Sequence, residues 1–331
     1  MNSSSDLAPA HQLGNHPSAY SDLRASKRLN FLHLLEHKPL AWMKANGIPG
    51  AGMIRRIARL AAPLPRVSGP AVVKTNLGVS MLVDPTADPT LERPLFELGV
   101  YEAGTLRVLS ELLQEGDVFV DVGANIGLIT LAASLWVGQT GTVLAVEPVP
   151  RNYDVLNYNV ALNDRKNIRT YRCALGSGPG MGKMYERPGV GWVGTSLVRT
   201  SDSSAAHEVT MSSLDALIEQ SGQAFVSVVK IDVEGWELEV LRGAVQLLSR
   251  EKAPAIVIEY SRLNPMQGGE PIDIYGSLLE SNPYRVYKLA RGKWAPSKLI
   301  RVEGPEQLPE HDNLFFLLDS HCKRLPARMF A

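Results

Sequence analysis

The sequence predicts an α/β fold built on a doubly wound, mostly parallel sheet. From Val118 onward, short β-branched and apolar runs alternate with amphipathic segments of helical length. The apolar runs are continuous, as strands covered on both faces require. One of them passes straight into a glycine turn that opens a helix, the junction at which such sheets take nucleotides. Right-handed crossovers then leave a doubly wound order as the expected topology.

Residues 1–21 are rich in Ser, Ala, Asn and His without periodicity and read as a disordered tail. Residues 22–70 read as a helical extension. Phe31, Leu34 and Leu35 share one face over Asn30–His37. Met53, Ile54, Ile57 and Leu60 recur at helical spacing over Met53–Ala61, until Pro63 and Pro65 end the run. The main domain is expected over 71–331, opening with a β-hairpin at 71–84 that turns at Asn76-Leu77-Gly78. Its core, over 105–320, starts with a helix at Thr105–Leu113. Strands are then expected at Val118–Val122, Thr142–Val146 and Ile168–Cys173, with helices at Ile126–Leu135 and Arg151–Leu162 between them. Gly176–His207 is rich in Gly, Ser and Pro with short strand-like pieces. Helix Ser213–Gln220, strand Phe225–Ile231, helix Trp236–Ser249, strand Ala255–Tyr260 and helix Ile274–Ser281 follow. Tyr284–Leu289 and Leu314–Leu318 read as a closing antiparallel pair.

Composition narrows the function. Lys+Arg and Asp+Glu number 34 each, so no global field recruits nucleic acid, which is disfavoured as a partner. Cys173 and Cys322 form no CxxC pair, which argues against zinc or a disulfide framework and fits a reducing, cytoplasmic location. No segment supplies the roughly 20 apolar residues that span a bilayer. Residues 1–15 lack the profile of a secretory signal.

The chemistry is expected where strands hand over to helices. In Asp121-Val122-Gly123-Ala124-Asn125-Ile126-Gly127, Gly123 allows a sharp turn and Gly127 close helix packing, so backbone N–H groups stand open to a ligand. Ala124 and Asn125 interrupt the GxGxxG of a dinucleotide site, which weakens the rival of an NAD-dependent oxidoreductase. The next strand ends in Glu147-Pro148, where a carboxylate can hold a ribose diol. Asp232 and Glu234 follow a third strand, and Glu259 ends a fourth. Carboxylates there can orient a hydroxyl, take its proton or hold a cation. Helix capping is the competing role for Glu234, and an ion pair with Arg262 for Glu259. Glu237 and Glu239 read as a solvated helix face. His207 and His311 read as structural or exposed. Trp192 and Trp236 are candidates for an acceptor pocket, with Thr195 and Ser196 in the loop above the sheet.

Read in order, these segments resemble the FkbM family of S-adenosylmethionine-dependent methyltransferases from Val72 to Leu318. The resemblance runs through Tyr101-Glu102, Gly116-Asp117-Val118, the Asp121–Gly127 turn, Glu147-Pro148-Val149-Pro150, Asn159 and Leu162-Asn163. It continues in Gly194-Thr195-Ser196-Leu197, Lys230-Ile231-Asp232-Val233-Glu234-Gly235, Leu241-Arg242-Gly243-Ala244, Glu259 and Asn313-Leu314-Phe315. It implies a seven-stranded sheet ending in an antiparallel hairpin, S-adenosyl-L-methionine as cofactor, and O-methylation of a hydroxyl on a small molecule, sugar or lipid. It places Asp121, Gly123, Ala124, Asn125 and Gly127 at the methionine end. Glu147 with Pro148 falls at the ribose, Cys173 and Ala174 near the adenine, and Glu102 within reach of the pocket. Asp232 would orient or deprotonate the acceptor, supported by Glu234 or Glu259. Mg²⁺ on these carboxylates is the lesser alternative, and no metal is expected. The other rival is an inactive methyltransferase-like scaffold or membrane-surface module acting through Met53–Leu64. The helices before Val72 suit a lid, a tether or a homodimer contact.

Overall fold

A computed structural model describes residues 69–186, 195–201, 203–264 and 266–331. The tail, the helices at Asn30–His37 and Met53–Ala61, and Trp192 lie outside the described residues.

Ala71–Lys74 (β1) and Ser80–Val83 (β2) form an antiparallel hairpin. Helices Glu92–Leu98 (α1) and Ala103–Leu112 (α2) lead to the sheet. Pro94 hides α1 from a pattern search, yet at the third helical position its missing N–H costs no internal bond. Then come β3 (Val118–Val122), α3 (Leu128–Trp136), β4 (Thr142–Val146), α4 (Pro150–Leu162) and β5 (Ile168–Tyr171). The chain next leaves the main sheet for a small one made of β6 (Ala174–Leu175), β7 (Gly180–Glu186) and β8 (Ser204–Ser212). It returns through α5 (Leu214–Ser221), β9 (Val228–Ile231), α6 (Glu237–Arg242), α7 (Val245–Leu248), β10 (Ala255–Ser261) and α8 (Pro271–Ser281). Strands β11 (Arg285–Leu289), β12 (Leu299–Val302) and β13 (His311–Leu317) close the sheet, and the short helix α9 (Asp319–Cys322) follows.

The main sheet runs β12-β11-β13-β10-β9-β3-β4-β5. It has eight strands rather than seven, because β12 adds to the edge antiparallel to β11. β13 slots between β10 and β11, antiparallel to both. The other neighbours are parallel. The order reverses between β3 and β9, the crevice where open α/β sheets take ligands.

Continuous apolar strands feed two cores. On β3, Phe119 packs under α2 and α3, whereas Val118, Val120 and Val122 face the α5–α8 layer. Each fully buried side chain of this size contributes about 1.5–3 kcal/mol. The single helix expected over Trp236–Ser249 is broken in two at Gly243. A Cβ there would overlap the carbonyl oxygen of Gly176, so the helix gives way where the small sheet crosses it. Two asparagines fasten the hairpin to α4. Asn159 accepts from the Leu82 N–H at 2.6 Å and donates to the Ile126 carbonyl at 2.8 Å; Asn163 bonds the N–H and carbonyl of Ser80. The turn after β3 is thereby tied to an element far away in sequence.

Candidate active site

A cleft, about 1050 Å³ when the open solvent at its mouth is counted, lies over the carboxyl ends of β3, β4, β9 and β10. At its centre the β3 turn meets the β9 loop. Gly123 has φ +84°, and a Cβ on it would overlap the Asp232 carbonyl oxygen. No other residue type lets these two loops touch.

Asp121 is the penultimate residue of β3 and is fully buried. Its Oδ2 accepts the Thr130 hydroxyl at 2.6 Å, while its Oδ1 has no partner. Burial pushes its carboxyl up against the pull of Lys230. Glu147 stands at the end of β4 and accepts the N–H of Asn125 at 2.9 Å and of Val149 at 2.8 Å. Burial outweighs those bonds and pushes its carboxyl up to about 7. Pro148, Cys173 and Ala174 continue the wall. Burial pushes the Cys173 thiol up to about 12, so it stays protonated and serves as an apolar wall.

The opposite end is acidic. Asp232, Glu234 and Glu259 bring carboxylate oxygens within 4.8 Å of one another. Two buried lysines compensate. Lys230 donates to Asp232 at 2.8 Å. Lys293, from the loop between β11 and β12, lies 2.6 Å from Glu259 and 3.2 Å from Glu102. Burial would raise the Asp232 carboxyl, but Lys230 and Lys293 hold it below the usual range. Glu259 goes the other way, pushed well up by burial and by repulsion from Asp232 against the pull of Lys293. Two carboxyls with opposed proton affinities thus stand side by side, the usual mark of an acid–base pair. His311 reaches within 3.6 Å of Glu259 and is half-buried, with burial lowering its proton affinity.

Several sequence expectations change here. Gly127 does not line the cavity; a Cβ there would sit 2.6 Å from Leu156, so it serves helix packing. Ser196 also lies off the lining: its hydroxyl donates to the Glu234 carbonyl at 2.6 Å and accepts the Val198 N–H, tying the small sheet to the β9 loop. Thr195, Trp236 and Glu102 do line the cavity. Arg262 reaches Tyr260 rather than Glu259. Glu237 is buried, not solvated, and caps the loop by accepting the N–H of Val233 and Gly235. Glu239 pairs with Arg242. Lys293, between Gly292 and Trp294 in the loop joining β11 to β12, carries no signal in the sequence.

Three non-glycine residues with left-handed backbone line this one cavity: Glu102 (φ 47°), Asn125 (φ 50°) and Glu234 (φ 54°). Each such residue costs about 1–2 kcal/mol, and strain of this kind gathers at functional sites.

The family model described as the methyltransferase FkbM domain matches residues 121–287, half of the chain. The chain belongs to the FkbM methyltransferase family. Hexuronic acid methyltransferase AglP of Haloferax volcanii is 35% identical over 149 residues, 44% of this chain and 58% of that protein. Methyltransferase sdnD of Sordaria araneosa is 28% identical over 227 residues, 59% of this chain and 83% of that protein. Methyltransferase 1 of Beauveria bassiana is 29% identical over 38% of this chain and 57% of its own length. The chain thus spans just over half the length of two of these curated relatives. Among solved structures, a methyltransferase FkbM from Methylobacillus flagellatus KT gives a TM-score of 0.39 at 20% identity, over 62% of this chain and 44% of that one.

Membership in the FkbM family makes S-adenosyl-L-methionine the cofactor, and the cavity fits it. The unpartnered Asp121 oxygen suits an ammonium group, and the cradle beside it takes its shape because Gly123, without a Cβ, lets the β3 turn close against the Asp232 backbone. Glu147 accepts from two backbone N–H groups and from the Asn152 side chain, which leaves capacity for a hydroxyl donor. Among the described residues no helix is long and apolar enough to cross a membrane.

Proposed function

We propose that this chain is an O-methyltransferase acting on a hydroxyl of a small molecule, sugar or lipid. One observation carries the proposal: the glycine-turn cradle and a cluster of three carboxyls, two of which, Asp232 and Glu259, have opposed proton affinities, open into one cavity. Asp121, Gly123, Ala124 and Asn125 would hold the methionine end of the cofactor, Glu147 and Pro148 the ribose, and Cys173 and Ala174 the adenine. When bound, S-adenosyl-L-methionine supplies an electrophilic methyl group whose bond to sulfur breaks as the acceptor oxygen attacks, leaving S-adenosyl-L-homocysteine.

The protein's share is positioning and proton management. Asp232, kept ionised by Lys230, accepts the hydrogen of the acceptor hydroxyl and aims its oxygen. Glu259 has the higher affinity for a proton and gives the released one a place to rest. Glu234, fixed by Asn264 at 3.0 Å, completes the anchor. The relative named for hexuronic acid is consistent with a glycosidic acceptor.

The test is Asp232→Asn. The variant keeps the Lys230 contact through its amide oxygen but takes up no proton. Its kcat should fall by about 100-fold or more, the usual scale for a general base, while calorimetry gives an unchanged Kd for S-adenosyl-L-homocysteine. Wild-type kcat in this variant would remove Asp232 from the mechanism. Absence of cofactor binding in the wild type would remove the whole proposal.

A further inference from the structure

The acceptor end carries a charge pattern and one idle hydrogen-bonding group that together specify what it can hold. Four acidic residues line it, Glu102, Asp232, Glu234 and Glu259, against two lysines, so the acids outnumber the lysines even when Glu259 carries a proton. Both lysines are engaged with carboxylates already, Lys230 with Asp232 and Lys293 with Glu102 and Glu259. No uncommitted cation remains among the described lining residues to meet an anionic acceptor. Carboxylates only accept hydrogen bonds once ionised, so they call for a ligand rich in O–H donors.

One idle group lines the same cavity. Thr195 is only 7% exposed and its Oγ1 has no partner. The Trp236 indole also lines the cavity, but its Nε1 is turned against Gly176. Thr195 is held rigidly, because the neighbouring Ser196 is bonded to the Glu234 carbonyl and exchanges backbone bonds with Tyr185. A buried hydroxyl left empty on a built wall costs free energy until a ligand fills it. Tyr101 and Trp236 add aromatic surface for the apolar face of a ring.

We propose that the acceptor is a neutral polyhydroxylated ring, its hydroxyls held by the carboxylates and one of its oxygens by Thr195, and that the cavity rejects a carboxylate-bearing acceptor. This rests on the O-methyltransferase assignment above and narrows it. It also separates this chain from its relative named for hexuronic acid.

The experiment uses the full-length protein and labelled S-adenosyl-L-methionine with matched pairs of methyl hexopyranosides and the corresponding methyl hexuronides. At least one neutral member should exceed its uronide in kcat/KM by about 100-fold or more, as like charges meeting in a partly buried site demand. Glu234→Gln removes one repelling charge and should narrow that ratio by about tenfold. Thr195→Val should raise KM for the neutral glycoside by about 5- to 10-fold while S-adenosyl-L-homocysteine affinity stays at the wild-type value. A mere folding role for Thr195 would not give that split. Equal or faster transfer to the uronides, or transfer to no neutral glycoside by protein that binds S-adenosyl-L-homocysteine, overturns the proposal. Loss of S-adenosyl-L-homocysteine binding by the wild type would instead overturn the underlying assignment.

Discussion

Lys293→Met isolates the energetics of the acidic cluster. The lysine Nζ lies 2.6 Å from Glu259 and 3.2 Å from Glu102, and all three side chains are at most 5% exposed. Methionine preserves the unbranched stem and removes only the charge. Two buried carboxylates are then left without their cation, and breaking a buried pair in this way costs about 3–5 kcal/mol. For a domain of this size that corresponds to a Tm lower by roughly 6–20 °C. The loss should depend on pH with a definite sign. Without Lys293 the Glu259 carboxyl, already pushed up by burial, is pushed up further above its unfolded value, so the folded state holds more protons near neutrality and stability falls as pH rises. Urea unfolding followed by tryptophan fluorescence at pH 5.5 and pH 8 measures both effects. The deficit should be larger at pH 8, and Lys293→Met combined with Glu259→Gln should recover at least half of it. A deficit below about 1 kcal/mol at pH 8, or one that is the same at both pH values, would show that Lys293 does not neutralise the cluster.

Other perturbations address the donor end. Gly123→Ala places a methyl group against the Asp232 carbonyl at φ +84°; it should weaken S-adenosyl-L-homocysteine binding more than tenfold and cost at least about 2 kcal/mol of stability, and wild-type affinity would refute the close approach. Glu147 has its carboxyl raised from 4.5 to about 7 by burial. The folded state therefore binds the extra proton, and the group's contribution to stability, fully present below pH 4.5, is lost as pH rises through 7. Glu147→Gln should flatten the fall in unfolding free energy between pH 4.5 and pH 8 by about 3 kcal/mol, and an unchanged slope would refute the burial account. His321, lowered to about 4 by burial and by Arg324, acts in the opposite sense: it is neutral when folded, so stability falls as pH drops from 6.5 towards 4. His321→Gln should remove that acid-side slope in the same titration.

The sheet was legible because its strands are buried on both faces, so Val118–Val122, Thr142–Val146 and Ala255–Tyr260 stand out as mostly apolar runs interrupted only by Asp121 and Glu259 near two carboxyl ends and by Thr142 at one start. The donor end was legible for a related reason: Gly123 and Glu147 fall at fixed positions relative to those runs. What escaped depends on contacts between remote segments. The edge strand Leu299–Val302 is half exposed and short, so it carries no hydrophobic pattern. The break at Gly243 comes from Gly176, distant in sequence. Glu237 looked solvated because its partners are backbone N–H groups of its own loop, invisible in side-chain periodicity. Lys293 gained its role only when the β11–β12 loop folded back over Glu102 and Glu259.

The contact between Gly123 and the Asp232 carbonyl has a consequence for how such a protein can diversify. Because the cradle and the acidic loop touch backbone to backbone, neither can drift without dragging the other. New acceptors must therefore be accommodated by segments that leave this junction untouched, chiefly the small sheet over 174–212 and the loop between β11 and β12. Swapping those two segments between relatives should transplant acceptor preference, whereas exchanging the loop after β9 alone should yield proteins that no longer assemble the pocket.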